Sequence, residues 1–198
     1  MWRPLEGGSG PGPTRALAGG LTRAACLDCD RRWALGLHQV ASRPFWCALF
    51  VAVSRLGDGP MWYLAIVLLP ALNLFGTGLD GTVVSLQMAA TGLVNLVLYK
   101  LLKQRIARAR PYTDCPGIRA CTRALDCYSF PSGHTLHAVA YAIVLGWHFP
   151  LAAWLLGPYA VLVALSRVVL GLHYPSDVAA AALAGAGVAS AVLWGWPW

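Results

Sequence analysis

Long apolar stretches without any Asp, Glu, Lys or Arg dominate the chain after its first 58 residues. Three of them cover residues 59–79, 81–99 and 178–198, and a fourth covers residues 127–166. A helix needs about 20 mostly apolar residues to cross a bilayer, so the fourth stretch is long enough for two crossings. The pattern predicts an all-α, polytopic transmembrane bundle of five spans, at about residues 60–79, 82–102, 134–149, 151–168 and 177–196.

The segment before these spans has a helical pattern but suits a crossing poorly. Its uncharged part, Pro44–Ser54, is 11 residues long, and Arg43 precedes it directly. We predict an amphipathic helix lying in the interface over residues 33–55, followed by a turn. The alternative is a sixth crossing that carries Arg43 into the bilayer. In the turn, Arg55 and Asp58 are expected to pair with each other rather than to reach an active site.

Residues 1–32 are rich in Gly, Pro and Arg, and they predict a disordered basic tail without a cleavable signal peptide. Cys26 and Cys29 form a lone CxxC, which lacks two further zinc ligands nearby and is attributed to chance. The chain is therefore divided into the tail, an interfacial helix and turn over residues 33–58, and a transmembrane domain over residues 59–198.

Composition excludes most other classes of protein. Of the 198 residues, 58% are hydrophobic and only 12% are charged, which is too apolar for a soluble domain of this size. The net charge of +7 would suit nucleic acid, but the pattern leaves no soluble basic domain to bind it. Anionic lipid head groups of the membrane or phosphate substrates are the expected partners.

Three polar blocks stand at the ends of the predicted spans. In the first, Lys103 and Arg110 are seven residues apart and would share one helix face before Pro111 stops the helix. In the second, the amides of Ser132, Gly133 and His134 would open a helix as an anion site, and His134 adds a proton donor. Taken alone, each block could also be an ordinary polar boundary.

The third block runs from Ser166 to Asp177. His173 and Asp177 are four residues apart, so the carboxylate could fix the imidazole tautomer and leave the other nitrogen free to attack. Arg167 could hold an anion over His173. Ser176 is a candidate helix cap. His137 is expected to be a pore-facing or interfacial residue, and His148 lies at the far turn without a role.

Together the blocks resemble the signature of the type 2 phosphatidic acid phosphatase family, which is related to the vanadium haloperoxidases. That signature is K-x6-R-P, then P-S-G-H, then S-R-x5-H-x3-D, and it is complete here from Lys103 to Pro111, Pro131 to His134 and Ser166 to Asp177. The resemblance covers about residues 59–198.

The resemblance implies a role for each residue. His173 attacks phosphorus and becomes a phosphohistidine, Asp177 orients it, and His134 protonates the leaving oxygen and then activates water. The phosphoryl oxygens are held by five residues, namely Lys103, Arg110, Ser132, Gly133 and Arg167. Neither a metal nor another cofactor is implied, and the sequence contains no carboxylate cluster of the kind that holds magnesium.

The favoured function is hydrolysis of a membrane-embedded lipid phosphate or diphosphate. Undecaprenyl diphosphate, phosphatidylglycerol phosphate, phosphatidic acid and a lipid A phosphate are the substrates that the resemblance implies. The same motifs also serve phosphotransferases that use an alcohol as acceptor. A haloperoxidase is disfavoured because those enzymes are mostly soluble and larger. A non-catalytic membrane scaffold would tolerate loss of both His134 and His173.

Two arguments about orientation conflict. Five spans and an interfacial helix place all 15 Lys and Arg residues on the catalytic side, which favours the cytoplasm. The resemblance implies a multi-pass protein of the cell membrane whose site faces away from the cytoplasm, and we expect that orientation. A disulfide between Cys115 and Cys121 would then be possible, although their spacing alone does not show it.

Overall fold

The computed structural model describes residues 13–75 and 80–196, with side chains from residue 26 onward. The described part is helical and contains no strand, which confirms the all-α prediction. Its helices are α1 (Pro13–His38), α2 (Pro44–Leu56), α3 (Gly59–Leu68), α4 (Gly81–Ile106), the single turn α5 (Pro111–Asp114), α6 (Gly133–His148), α7 (Pro150–Val169) and α8 (Pro175–Gly195). Two 3-10 segments, Gln39–Ser42 and Leu69–Phe75, continue α1 and α3.

Four described segments are long and apolar enough to cross a membrane, namely Pro44–Phe75, Gly81–Asp114, Pro150–Val169 and Pro175–Gly195. The last two correspond to predicted spans. The first begins at Pro44 rather than near residue 60, because α2 and α3 follow each other closely. α6 occupies the predicted span at 134–149 but has only 16 residues, about 24 Å of helix, so a crossing there stays a prediction.

α6 is the centre of the bundle and packs against α4, α7 and α8. Its Ala138, Tyr141 and Val144 lie in a buried cluster with Trp62 of α3 and Met88 of α4. The approach of α8 is close, because a Cβ on Gly185 would lie 2.4 Å from the carbonyl oxygen of Leu136. The Ala- and Gly-rich sequence of α8 allows this close packing.

The N-terminal region differs from the predicted tail. A helix covers residues 13–38, and its last three turns are anchored to the bundle, with Ala34 buried against Val168 and Tyr174. Asp30 accepts hydrogen bonds from Arg108 at 2.7 Å and from the amide of Ser176 at 3.0 Å. These contacts of Ala34 and Asp30 explain why the segment is a helix packed on the bundle and not a disordered tail. Residues 1–12 of the predicted tail lie outside the described residues.

The predicted interfacial helix over residues 33–55 is broken in two by Arg43, which is extended before Pro44. One end of α2 contacts the loop between α7 and α8, and the other end contacts the last turn of α7. Cys47 and Phe50 pack in one cluster with Leu172, and Ser54 accepts a hydrogen bond from Arg167. These contacts keep α2 at one end of the bundle along its whole length.

The loop over residues 115–132 folds over the same end. Its cysteines are free thiols in the structure, as are the other described cysteines, so the possible Cys115–Cys121 disulfide is not formed. Cys115 is buried with its Sγ 3.3 Å from the Tyr174 hydroxyl, whereas Cys121 packs beside Cys47. The two thiols therefore belong to different contacts.

Candidate active site

A cavity of about 490 Å³ opens at the end of the bundle that carries this loop. One end of it is polar and is lined by residues of all three sequence blocks, namely Lys103, Arg110, Gly133, His134, Arg167 and His173. The other end is lined by apolar side chains of α3 and α4, including Trp62, Ile66, Leu93 and Leu96. The predicted site residues therefore meet at the head of an apolar channel.

The short connection between α7 and α8 places His173 in this cavity. The amides of Leu172 and His173 both donate to the carbonyl of Arg167 at 3.1 Å, which closes the chain into a tight turn. Gly171 within it has a φ of +74°, and a Cβ there would lie 2.5 Å from the carbonyl oxygen of Arg119. Only glycine fits that position without strain.

The imidazole of His173 is buried, and its contacts assign its tautomer. Arg110 Nη1 lies 3.3 Å from His173 Nε2, and a guanidinium can only donate. Nε2 is therefore the unprotonated nitrogen, its lone pair accepts from Arg110, and the proton is on Nδ1. This is the form that a nucleophilic histidine needs.

The surroundings also keep His173 uncharged. Burial lowers the pKa of His173 well below its usual value, and the positive charges of Arg167, Arg110 and Lys103 lower it further. A protonated imidazole has no lone pair for attack, so these cations favour the reactive form of His173. The same cations would also stabilise an anion bound in the cavity.

Asp177 does not make the hydrogen bond that the sequence suggested. Its Oδ2 lies 3.9 Å from His173 Nδ1, which has no hydrogen-bond partner among the described residues. Oδ2 instead accepts from the Tyr174 amide at 2.9 Å, and Oδ1 accepts from Arg108 at 2.7 Å. Asp177 thus caps α8 and acts on the Nδ1 side of His173 through its charge.

Lys103 and Arg110 converge, but not along one helix face as predicted. α4 ends at Ile106, and Ala107 has a left-handed conformation with a φ of 46°. Arg110 is extended because Pro111 disfavours helix before it. Both cations are buried, and Lys103 Nζ donates to the carbonyl of Tyr128 at 2.9 Å.

Asp126, which the sequence analysis did not single out, bridges these two cations. Its Oδ1 accepts from Arg110 Nη2 at 2.8 Å and forms an ion pair with Lys103, and its Oδ2 accepts from Tyr99 at 2.7 Å. Burial alone would raise the pKa of Asp126, but the hydrogen bonds from Lys103, Tyr99 and Arg110 outweigh it and hold the pKa at about 2. The carboxylate is ionised at any working pH.

Arg167 is buried in the last turn of α7 and donates to the hydroxyl of Ser54. Its Nε has no partner in the described part of the chain, and no described carboxylate lies within ion-pair distance of it. A buried guanidinium with an unused donor is suited to an anionic ligand in the adjoining cavity.

The start of α6 only partly resembles the predicted anion site. The Ser132 amide donates to the Asp177 carbonyl at 3.4 Å, and its hydroxyl lies 3.0 Å from that of Thr135. Ser132 is absent from the cavity lining, whereas Gly133 and His134 are present. A Cβ on Gly133 would lie 3.0 Å from the Tyr99 ring, so the glycine lets α6 approach α4.

His134 has a partner that was expected elsewhere. Its Nε2 lies 2.5 Å from Asp58 Oδ1, in the turn between α2 and α3. The predicted Arg55–Asp58 ion pair is not among the described ion pairs, and Arg55 is exposed. Asp58 lines the cavity, so the alternative of a position at the active-site rim is the correct one.

The remaining sequence candidates have simpler roles. His137 lines the cavity, as expected, and its Nδ1 lies 2.9 Å from the Gly133 carbonyl oxygen. His148 is at the far turn, where its Nε2 lies 2.6 Å from Gln87 Oε1. Ser176 does not cap α8, since the N-cap is Tyr174, and it contacts Asp30 and Arg108 instead. No group of three or more potential metal ligands occurs among the described residues.

Four site residues escaped the sequence analysis or were discounted by it, namely Asp58, Tyr99, Arg108 and Asp126. One signal was available: Tyr99 lies one helical turn before Lys103, and Lys103 Nζ lies 4.8 Å from the centre of its ring. Asp58 and Asp126 are in irregular segments, where spacing along the chain does not predict contacts.

Comparisons with known proteins agree with this geometry. The model of the PAP2 superfamily matches residues 81–198. A decaprenylphosphoryl-5-phosphoribose phosphatase of Mycobacterium tuberculosis is 32% identical over 155 residues, which are 77% of this chain and 82% of the relative.

Solved structures give the same result. A PAP2-type phosphatidylglycerolphosphate phosphatase from Bacillus subtilis has a TM-score of 0.73 at 25% identity, over 90% of this chain and 89% of that chain. LpxE from Aquifex aeolicus has a TM-score of 0.67 at 24% identity, over 79% and 92% of the two chains, and supports the fold. The shared family model, the long alignment and the shared architecture have one explanation: the chain belongs to the PAP2 superfamily and is a membrane lipid phosphatase of that type.

Proposed function

We propose that this enzyme removes a terminal phosphate from a lipid phosphate or diphosphate through a phosphohistidine at His173. The observation that carries the proposal is the buried imidazole of His173, whose Nε2 contacts Arg110 in a cavity that Lys103 and Arg167 also line. A neutral nucleophile among cations is matched to an anionic electrophile.

In the first step, His173 Nε2 attacks phosphorus and the bond from phosphorus to the lipid oxygen breaks. His134 gives its proton to that oxygen as it leaves, and the lipid alcohol or lipid monophosphate departs. The three cations stabilise the charge on the equatorial oxygens. Asp177 stabilises the positive charge that develops on the imidazole from the Nδ1 side.

In the second step, His134 takes a proton from water and the water oxygen attacks phosphorus. The bond between phosphorus and Nε2 breaks, and inorganic phosphate forms. His173 is neutral again and His134 is protonated, so both residues are ready for another cycle.

Two carboxylates support the histidines in this proposal. Asp58 binds His134 Nε2 at 2.5 Å, which orients the ring and leaves its other nitrogen to exchange the proton. Asp177 is held in turn by Arg108, whose Nη2 also donates to Asp30 at 2.7 Å. Arg108 and Asp30 are positioning residues because their contacts join α1 and α8 behind the nucleophile.

The shape of the cavity favours an amphiphile. Its polar head continues into apolar walls from α3 and α4, which suits an acyl or prenyl chain better than a soluble sugar phosphate. The names of the Mycobacterium and Bacillus relatives describe lipid-linked phosphates. We propose the same class of substrate for this chain, with a site that faces away from the cytoplasm.

The test is release of inorganic phosphate by detergent-purified protein from a panel of polyprenyl and glycerolipid phosphates. At least one lipid phosphate should be hydrolysed in excess EDTA, and orthovanadate should inhibit by occupying the position of the transferred phosphoryl group. His173→Ala, with a thermal midpoint close to that of the wild type, should be inactive. Turnover that needs added magnesium, or full activity of His173→Ala, would contradict the proposal.

Transfer to an added alcohol without phosphate release would identify a phosphotransferase.

A further inference from the structure

The carboxylate of Asp126 binds two of the cations that the proposed mechanism assigns to the phosphoryl group. Its Oδ1 takes hydrogen bonds from Arg110 Nη2 at 2.8 Å and from the Tyr128 amide at 3.1 Å, and it also pairs with Lys103. The side chain is 28% exposed and lines the same cavity as His173. Two of the three cations thus already have an anionic partner.

A phosphoryl group bound to Lys103 and Arg110 would compete with Asp126 for these donors. Carboxylate and phosphoryl oxygens accept the same hydrogen bonds, and two anions bound to the same cations repel each other. Arg167 is the contrast, because its described partner is only the hydroxyl of Ser54. An incoming phosphate would therefore find Arg167 without a carboxylate partner among the described residues, whereas Lys103 and Arg110 are paired with Asp126.

We infer that Asp126 is an internal counter-anion that the phosphate of the substrate displaces and that returns when inorganic phosphate leaves. The inference rests on the proposed function. In the ligand-free enzyme, Asp126 neutralises part of a buried cluster of cations, which is costly without an anion. In turnover it weakens the hold of the cluster on product, which would otherwise occupy a site built for phosphate.

The local structure allows this exchange without unfolding of the loop. Arg110 Nε donates to the backbone carbonyl of Asp126 at 3.0 Å, separately from the contacts of its carboxylate. Rotation about the side-chain bonds of Asp126 can therefore release both cations while the backbone stays in place. Besides the two cations, the side chain must also leave the hydroxyl of Tyr99, which donates to Oδ2 at 2.7 Å.

The experiment measures binding of inorganic phosphate to detergent-purified protein by calorimetry, so that it does not depend on turnover. Asp126→Asn should bind phosphate roughly tenfold or more tightly than the wild type, the size expected when competition for charge-assisted hydrogen bonds is removed. Tyr99→Phe keeps the charge but removes one anchor, so its affinity should rise by a smaller factor.

Asp114→Asn is the matched control. It removes the same charge on the same side of the bundle, but Asp114 pairs with Arg31 at 2.8 Å and does not line the cavity. Its phosphate affinity should equal that of the wild type.

A second readout is catalytic. In Asp126→Asn, the KM for a lipid phosphate and the inhibition constant of orthovanadate should both fall, and inhibition by product should strengthen. Unchanged or weaker phosphate binding in both Asp126→Asn and Tyr99→Phe would overturn the inference and make Asp126 a residue that only holds Lys103 and Arg110 in place. Tighter binding in a protein that hydrolyses no lipid phosphate would support the inference and refute the proposed function instead.

Discussion

At the scale of single residues, the two histidines of the proposed mechanism are placed differently relative to a carboxylate. His134 contacts Asp58 directly at 2.5 Å, whereas His173 lies 3.9 Å from Asp177 and contacts Arg110 instead. A carboxylate bound to His134 suits a proton donor, and an unprotonated Nε2 that accepts from Arg110 suits His173 as a nucleophile. The contacts therefore divide the two histidines into the roles that the mechanism needs.

The Asp58 contact can be tested with leaving groups. Asp58→Asn should reduce kcat for an alkyl phosphate by about tenfold to a hundredfold, a loss within the usual contribution of general acid catalysis. An aryl phosphate, whose leaving oxygen needs less protonation, should lose much less. Arg55→Gln, in the same turn and exposed, is the control and should match the wild type. Equal losses for both substrates would show that Asp58 supports only the fold.

The depressed pKa of His173 predicts how stability depends on pH. The folded protein keeps this ring neutral, whereas the unfolded chain takes up a proton below about pH 6.5. The contribution of His173 is therefore present above that pH and is lost as the pH falls, by at most about 1.4 kcal/mol per pH unit. Thermal midpoints from pH 7.5 to 5 should fall more steeply for the wild type than for His173→Asn. Parallel curves would contradict the assignment.

The sequence predicts the site residues that are part of a motif, but it misses those that reach the site only through tertiary contacts. Lys103, Arg110, His134, Arg167 and His173 reach one cavity, as their motif implied. Asp58 is 76 residues from His134, and nothing in either segment indicates that they meet. Such pairs depend on how loops close over the bundle, which local spacing does not encode.

At the scale of elements, α6 and α8 pack against each other and bear on the two histidines of the proposed mechanism, His134 and His173. Each histidine lies at the start of, or just before, one of these helices, and a Cβ on Gly185 of α8 would lie 2.4 Å from the carbonyl oxygen of Leu136 in α6. A side chain at that point would move one helix away from the other. The crossing therefore matters to catalysis as well as to stability.

Gly185→Ala should lower the thermal midpoint and reduce activity by tenfold or more, because its Cβ would lie 2.4 Å from the Leu136 carbonyl oxygen, and small misplacements of catalytic groups are costly. Gly187→Ala is the matched control on the same helix, since a Cβ there has nothing within 4 Å. It should leave activity unchanged and not lower the midpoint. Similar effects of the two substitutions would refute the close crossing.

The elements were predictable where apolar runs were long and uninterrupted. α4, α7 and α8 lie close to the predicted spans because apolar length determines them. The N-terminal helices were not predictable from the sequence, because α1 is ordered by contacts of Asp30 and Ala34 with distant residues. Amphipathic or polar segments of this kind gain their structure from the surface on which they dock.

At the scale of the whole molecule, the contacts of α1 and α2 bear on the topology. α1 reaches the catalytic end through Asp30, and α2 reaches it through both Cys47 and Ser54. A helix that crossed the bilayer would have only one end there. We therefore expect residues 33–58 not to add a sixth crossing, and the N-terminal region to share a side with the site.

Labelling of single-cysteine variants with a membrane-impermeant maleimide in intact cells tests this topology. Variants that retain only Cys29 or only Cys127, both exposed, should react equally, and both should react from outside if the site faces away from the cytoplasm. Permeabilised cells give the control for full reactivity. Opposite accessibility of the two thiols would establish an odd number of crossings between them and refute the interfacial position of α2.

The central claim is that phosphate passes through a covalent bond to His173, and trapping that bond tests it most directly. The protein is mixed with a lipid phosphate labelled with ³²P at its terminal phosphate, quenched in alkali, and analysed for label and its position by peptide mass spectrometry. His134→Asn should accumulate the species, because hydrolysis of the intermediate needs the base. We predict an alkali-stable, acid-labile phosphate on His173, absent from His173→Ala. Turnover without any phosphoenzyme, or label on another residue, would contradict the account.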